Sequence, residues 1–88
     1  MKYSIEFTKT ALKQLRKLPK KAQKRIGAAV ELLSENPRPP KHEPLKGSLK
    51  GLCRVRTGGY RIVYQIHDKK LVVCVVGIGD RKEVYKQL

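Results

Sequence analysis

Acidic residues are scarce in this chain. Among its 88 residues are 7 Asp and Glu against 21 Lys and Arg, which gives a net charge of +14 at neutral pH. A positive field of this size raises the association rate and the non-specific affinity for polyanions. Nucleic acid is therefore the first class of partner to consider, ahead of an anionic membrane or an acidic protein.

Long apolar runs and metal-binding cysteine patterns are absent as well. No stretch is long enough to span a bilayer, and the first residues lead into a strand-like alternation rather than a signal peptide. We therefore expect a cytoplasmic protein with no membrane partner. Cys53 and Cys74 lack the spacing of a metal site and are expected to be small buried apolar residues. The length suits one domain, over residues 1–88, and no metal ion or cofactor is expected.

Hydrophobic periodicity in the first half predicts a strand followed by two helices. Residues 2–7 alternate as a half-buried strand, and Thr8 is a candidate N-cap for a short helix. Pro19 ends that helix and can open the next one. The second helix carries apolar residues at helical spacing: Ala22, Ile26, Ala29, Val30 and Leu33. The segment from Asn36 to Lys50 is rich in Pro, Gly and Lys and is predicted to be a loop.

The second half predicts three antiparallel strands, at about residues 52–57, 60–67 and 70–79. The class is therefore α+β: an N-terminal strand, a two-helix hairpin, and then a small twisted sheet with the helices packed on one face. If Asp68-Lys69 forms a two-residue turn, Tyr64 faces Val73 and Ile62 faces Val75. The last strand is apolar at nearly every position and is expected to lie inside the sheet.

A two-residue turn at Gly58-Gly59, expected to be type I′, sets the register of the first hairpin. It places Thr57 opposite Tyr60 and Arg56 opposite Arg61. Because successive strand residues point to opposite faces, Arg54, Arg56 and Arg61 share one face. Two opposed arginines repel, and the hairpin contains no acidic residue, so a bound phosphate accounts best for this arrangement. The alternative is that the three arginines are ordinary solvated sheet residues.

Several motifs resemble the RelE toxins of the RelE/ParE superfamily. They are Leu45-Lys46-Gly47, Arg54-Val55-Arg56, Gly59-Tyr60-Arg61-Ile62-Val63-Tyr64 and Gly79-Asp80-Arg81-Lys82-Glu83-Val84-Tyr85. With the order of the elements, the likeness covers essentially the whole chain. It implies a toxin of a type II toxin-antitoxin system, which forms a hetero-oligomer with a RelB-like antitoxin.

The resemblance also implies an activity, that of a ribosome-dependent endoribonuclease. Such an enzyme cuts mRNA in the ribosomal A site, next to 16S rRNA, without a metal. The mRNA's 2′-hydroxyl attacks the adjacent phosphate and leaves a 2′,3′-cyclic phosphate and a 5′-hydroxyl. The matching catalytic positions are Arg54, Arg56, Arg61, Arg81 and Tyr85. We assign Arg61 and Arg81 to stabilising the charged transition state, and Tyr85 to stacking on a base or holding the nucleotide bent.

A general base is not evident, because arginine does not lose its proton in proteins. His42, Asp80 and Glu83 are the titratable candidates. Basic residues outside the arginine set are predicted to bind RNA: Lys20, Lys21, Lys24, Arg25, Lys46 and Lys50. Two other functions stay open: a ParE-like inhibitor of DNA gyrase, and a non-enzymatic RNA- or ribosome-binding module.

Overall fold

The computed structural model describes residues 2–80 and Tyr85. Its elements, in chain order, are β1 (Ser4–Phe7), α1 (Lys9–Arg16), α2 (Lys20–Glu35), β2 (Glu43–Pro44), β3 (Cys53–Thr57), β4 (Tyr60–His67) and β5 (Val72–Gly79), with one turn of 3-10 helix at Gly47–Leu49 between β2 and β3. Arg81 and Glu83, named above as candidate site residues, lie outside the described residues.

Both helices form where the periodicity predicts them. The Thr8 side chain caps α1, since its Oγ1 accepts a hydrogen bond from the backbone N–H of Ala11 at 3.1 Å. Pro19 separates the two helices and is itself the N-cap residue of α2. The apolar stripe of α2 is buried against the sheet, with Ile26 fully buried and Leu33 1% exposed.

The sheet has five strands in the order β1-β5-β4-β3-β2. β1 runs parallel to β5, and the other neighbouring strands pair antiparallel. The core lies between the helices and one face of the sheet, where Ile62, Tyr64 and Val75 are fully buried. β5 lies between β1 and β4, as its apolar sequence predicts, and the predicted α+β fold is confirmed.

The β3–β4 hairpin has the predicted register, with Thr57 opposite Tyr60, Arg56 opposite Arg61 and Val55 opposite Ile62. The expected turn type was wrong. Gly58 has a φ of +60°, whereas Gly59 is not in the left-handed region, and a type I′ turn requires positive φ at both positions. One positive φ at the first central residue is the type II′ pattern, which also suits the twist of a hairpin.

The predicted β4–β5 register was wrong. Tyr64 faces Val75 and Ile66 faces Val73, because four residues rather than two connect the strands. Within this connection Leu71 adopts a φ of 54°, and its N–H bonds to the carbonyl of Asp68. A bulge between Val63 and Tyr64 then shifts the ladder again, so that Ile62 faces Ile78. The shift by two residues keeps Val73 and Val75 on the core face, so the predicted face survives the wrong register.

The Pro-rich segment, predicted to be a loop throughout, contains the short strand β2, in which Glu43 pairs with Arg54. Hydrogen bonds from two side chains fix the path of this segment, one in the core and one at the surface. The buried Tyr64 hydroxyl donates a hydrogen bond to the carbonyl of Pro37 at 2.7 Å. Arg38 donates two to the carboxylate of Asp68, at 3.0 and 2.8 Å. Among the described residues, no helix has the length and apolar character needed to cross a membrane.

Candidate functional site

The hairpin arginines lie on the face of the sheet opposite the helices. Arg54, Arg56 and Arg61 alternate with the core residues Val55 and Ile62, so their side chains leave the opposite side of β3 and β4. We call these three residues the arginine face. Arg56 is exposed, whereas Arg54 and Arg61 are half-buried. Val63, the cross-strand partner of Arg54, shares this face and is fully buried, so the arginines surround one buried apolar side chain.

Arg61 has the most unusual environment of the three. Its Nε and Nη1 atoms are buried and have no hydrogen-bond partner among the residues that the structure describes. Its cross-strand neighbours are Arg56 on one side and Gly79 on the other. A buried guanidinium without a hydrogen-bond acceptor destabilises the fold unless an anion binds to it. Arg61 is therefore suited to an oxyanion ligand.

Arg54 already contacts two polar side chains. Its Nη1 donates a hydrogen bond to the hydroxyl of Tyr85 at 3.1 Å, and its Nη2 is ion-paired with Glu43. The hydrogen bond to Tyr85, aided by the Glu43 carboxylate, raises the pKa of Arg54 above its usual value. The Arg54 side chain is 17% exposed. The structure thus brings together four of the five predicted catalytic residues, while Arg81 lies outside the described part of the chain.

The basic start of α2 lies against the turn at the tip of the β3–β4 hairpin. The side chain of Arg25 lies over Gly58, so that a Cβ added to Gly58 would be 2.8 Å from the Arg25 Cδ. A groove of about 390 Å³ runs between helix and turn, and it is lined by Pro19, Lys21, Ala22, Arg25, Gly58, Gly59 and Tyr60. Lys20 and Lys24 are exposed on the same helix. Cations at a helix N-terminus oppose the helix dipole, so a bound anion would relieve this end of α2.

The remaining candidates are dispersed. Lys46 and Lys50 are exposed on either side of the 3-10 turn, in the β2–β3 connection, and so lie at the end of β3 away from Arg25. The Nδ1 of His42 bonds to the carbonyl of Pro39 at 2.8 Å, which directs the imidazole to its own loop. Asp80 is exposed just beyond Gly79, the residue opposite Arg61.

Sequence reasoning missed Glu43. No periodic pattern surrounds it, and it meets Arg54 only because a two-residue strand pairs at long range. The one available signal is Pro44: the residue before proline is restricted to extended conformations, which suits an edge strand.

Comparison with known proteins identifies relatives along most of the chain. The family model described as "ParE toxin of type II toxin-antitoxin system, parDE" matches residues 5–85. The mRNA interferase toxin RelE of Escherichia coli K12 is 33% identical over 94 residues, which cover 99% of this chain and 94% of that protein. Toxin RelG of Mycobacterium tuberculosis is 32% identical over 90 residues, or 99% of this chain and 100% of that toxin.

A solved structure also resembles this chain over most of its length. The toxin-antitoxin complex RelBE2 of Mycobacterium tuberculosis contains a chain that superposes with a TM-score of 0.84 at 32% identity. The match covers 92% of this chain and 100% of that one. Both helices and the arginine face lie within residues 5–85, which the family model matches.

Proposed function

The chain belongs to the RelE/ParE superfamily of toxins of type II toxin-antitoxin systems, and from that premise we propose that it is a ribosome-dependent mRNA endoribonuclease. Its substrate is the mRNA in the ribosomal A site. The products are a 2′,3′-cyclic phosphate and a 5′-hydroxyl, formed without a metal ion. The support from relatives is the mRNA interferase RelE, which is 33% identical.

The buried, unpartnered Nε and Nη1 of Arg61 are the observation that carries this proposal. A phosphate oxygen would supply the acceptor that these donors lack among the described residues. As the 2′-oxygen attacks, negative charge grows on the non-bridging oxygens, and donors already fixed in a site of low dielectric stabilise it strongly. Removing one such donor typically costs about 3 to 4 kcal/mol of transition-state stabilisation. Arg81 is proposed to share this role.

Arg56, Arg54 and Tyr85 complete the proposed site. Exposed Arg56 lies opposite Arg61 and can engage the flanking phosphate, while Arg54 holds the Tyr85 hydroxyl. A phenol ring kept at this face offers a stacking surface for a base, which holds the nucleotide for in-line attack. The ribosomal RNA is proposed to lie along the basic residues outside the face: Lys20, Lys21, Lys24, Arg25, Lys46 and Lys50.

A reconstituted translation reaction tests the proposal. Purified protein is added to ribosomes programmed with a defined mRNA, and the new 5′ ends are mapped. We expect cuts within the A-site codon, cyclic phosphate ends, and activity in the presence of EDTA concentrations that leave ribosomes intact. Arg61→Ala should lower the cleavage rate by about 100- to 1,000-fold. Intact mRNA with the unmodified protein would overturn the proposal.

A second candidate function is inhibition of DNA gyrase, because the matching family model is described as the ParE toxin. A supercoiling assay with purified gyrase decides between the two. Inhibition of supercoiling together with intact mRNA would favour the gyrase inhibitor. A non-enzymatic RNA- or ribosome-binding module would instead show salt-sensitive binding without a 5′-hydroxyl product.

We also propose a RelB-like antitoxin as the partner that neutralises this toxin in a hetero-oligomer. The RelBE2 structure that resembles this chain is a toxin-antitoxin complex. The charge of +14 would attract an acidic or amphipathic antitoxin segment, which would compete with RNA for the same cations. Co-expression with the neighbouring open reading frame, followed by co-purification, tests this pairing.

A further inference from the structure

The last residues of β5 lie beyond the end of their strand neighbour β1. β1 pairs with β5 as far as Phe7, which lies opposite Val75, and then ends. From Val76 to Gly79 the neighbour of β5 in the sheet is β4, on one side of the strand. The other edge of the strand presents backbone N–H and C=O groups that need partners from outside the sheet.

Helix α1 supplies such partners on the side where β1 ends. The N–H of Thr8 bonds to the carbonyl of Val75 at 3.0 Å, and its Oγ1 donates to the carbonyl of Val76 at 3.4 Å. Gln14 lies further along the helix, and its Oε1 accepts a hydrogen bond from the N–H of Ile78 at 2.8 Å. The Gln14 side chain therefore holds the backbone of β5 one residue before the strand ends.

The residue that Gln14 holds is next to the proposed phosphate site. Gly79 follows Ile78 and is the cross-strand partner of Arg61. The Ile78 side chain packs in the core, whereas Arg61 leaves the opposite face of the sheet. The buried Nε and Nη1 thus belong to a side chain whose neighbour on β5 is fixed through Ile78. Arg81, which is proposed to share the role of Arg61, follows Gly79 by two residues in the sequence.

The position of this strand end matters for the proposed chemistry. Donors stabilise a transition state strongly when they are fixed in place before the reaction begins. A misplacement of about 1 Å, even from a change far from the reacting atoms, can slow catalysis about 100-fold. A partly buried N–H that loses its acceptor destabilises its segment, and here it would allow the end of β5 to shift against β4.

Resting on the proposed endoribonuclease function, we propose that Gln14 is a positioning residue for the phosphate site of Arg61. It acts through the backbone of Ile78 and Gly79 rather than on the substrate. Its amide oxygen fixes the end of β5, and β5 fixes the surroundings in which Arg61 receives a phosphate oxygen. The role requires a hydrogen-bond acceptor at the end of the side chain and no proton transfer by Gln14.

Single-turnover cleavage on programmed ribosomes tests this role with Gln14→Leu. Leucine suits a helix as well as glutamine does, but it has no acceptor for the Ile78 N–H. At saturating ribosome concentration we expect cleavage about 10- to 100-fold slower than with the unmodified protein. The ribosome concentration that gives half of the maximal rate should change by less than about threefold, because the basic residues proposed to bind the ribosome are unaltered. Gln14→Glu keeps an acceptor at the same reach and should restore most of the lost rate.

A titration with inorganic phosphate tests the same role without ribosomes. Binding is followed by the NMR signal of the Arg61 Nε–H, identified as the signal that is missing from Arg61→Ala. Gln14→Leu should bind phosphate about three- to tenfold less tightly than the unmodified protein, as expected when one hydrogen bond is misplaced. Gln14→Ala carries both measurements if the leucine variant does not fold.

Gln23→Leu is the matched control. The Nε2 of Gln23 donates to the carbonyls of Leu18 at 2.9 Å and Arg16 at 3.5 Å, so this side chain also bonds to backbone, but at the junction of α1 and α2. Its variant should cleave mRNA and bind phosphate as the unmodified protein does. An equal loss of cleavage in Gln23→Leu and Gln14→Leu would assign the effect to general stability and overturn the role of Gln14.

Other outcomes would also overturn the role. They are a cleavage rate of Gln14→Leu within about threefold of the unmodified rate, no recovery in Gln14→Glu, and equal phosphate binding by Gln14→Leu and the unmodified protein. If the unmodified protein leaves mRNA intact, the proposed function itself fails. The phosphate titration then decides separately whether Gln14 positions Arg61.

Discussion

Arg56 lies directly opposite Arg61 across the β3–β4 ladder, so two guanidinium groups leave the same face at adjacent positions. Like charges in this arrangement destabilise a hairpin. The sequence places no acid in either strand to relieve them. The repulsion between Arg56 and Arg61 therefore lowers the stability of the folded protein when no anion is bound. A phosphate bound between the two side chains would attract both, so the pair would then stabilise the complex.

Arg56→Gln should consequently stabilise the protein while weakening RNA binding. We expect the free energy of unfolding in urea to rise by about 0.2–1 kcal/mol at low salt, and the gain to shrink as salt screens the repulsion. Lys69→Gln is the control, because it removes one exposed charge from the β4–β5 connection. An equal gain from Lys69→Gln would assign the effect to the net charge rather than to the opposed pair.

Gly58 and Gly59 should respond differently to the same substitution. Gly58 has a φ of +60°, and a Cβ there would lie 2.8 Å from the Arg25 Cδ; Gly59 has open space around it. Gly58→Ala should lower the free energy of unfolding by about 1–2 kcal/mol through backbone strain, with the displacement of Arg25 added. Gly59→Ala should cost much less.

The Arg25→Ala background divides the cost of Gly58→Ala into its two parts. Without the Arg25 side chain the steric clash disappears and the backbone strain remains. The cost of Gly58→Ala should therefore be smaller in this background than in the unmodified protein. Equal costs in both would mean that Arg25 moves aside freely, and that its position over the turn is not held.

The two hairpins show what local sequence can and cannot predict. Two residues at Gly58-Gly59 leave one register available, so the positions of Arg56 and Arg61 followed from counting. The β4–β5 register depended on a four-residue connection with a positive φ at Leu71 and on a bulge near Val63, and neither has a local signal. The alternation of side chains along the strand still predicted the correct core face, because a register error of two residues leaves each side chain on the same face of the sheet.

The candidate site was predictable where it rests on one hairpin, and unpredictable where distant segments meet. Arg54 and Arg61 follow from strand alternation, but the burial of the Arg61 nitrogens depends on tertiary packing. Glu43 joins the site through a pairing of two residues only. Arg25 contacts Gly58 because α2 packs across the sheet. The two residues are far apart in the sequence, so the sequence alone does not predict this contact.

Asp68 should make stability depend on pH in acid. Hydrogen bonds from Arg38 and then from Tyr3, the latter at 2.7 Å, lower the pKa of Asp68 from 3.8 to about 2. A carboxylate with a depressed pKa contributes stability that is fully present above its unfolded pKa and is lost as the pH falls through the folded one. The loss should therefore develop between about pH 4 and pH 2.

Urea unfolding at a series of pH values checks this contribution. Asp68→Asn should be less stable than the unmodified protein at neutral pH, and the difference should close as the pH falls toward 2. Glu6→Gln, a change at an exposed carboxylate on β1, serves as control. A difference between Asp68→Asn and the unmodified protein that is constant from pH 7 to pH 2 would contradict an ionic role for Asp68.

The basic start of α2 should control affinity for ribosomes rather than the rate of cleavage. Lys20 and Lys24 are exposed on a helix that packs on the sheet face opposite the arginines. Changing both to Ala should weaken binding and reduce the slope of log affinity against log salt by about one for each phosphate that is no longer neutralised. Cleavage at saturating ribosome concentration should stay the same.

Lys69 and Lys70 provide the matched pair for this comparison. Both are exposed, and they lie in the β4–β5 connection, at the end of β4 away from the Gly58 turn. Their double alanine variant removes the same charge from a total of +14. A polyanion that follows a defined track responds to where charge is removed, whereas a diffuse attraction responds to how much is removed. Equal decreases of affinity and slope in the two variants would therefore assign ribosome binding to net charge and not to α2.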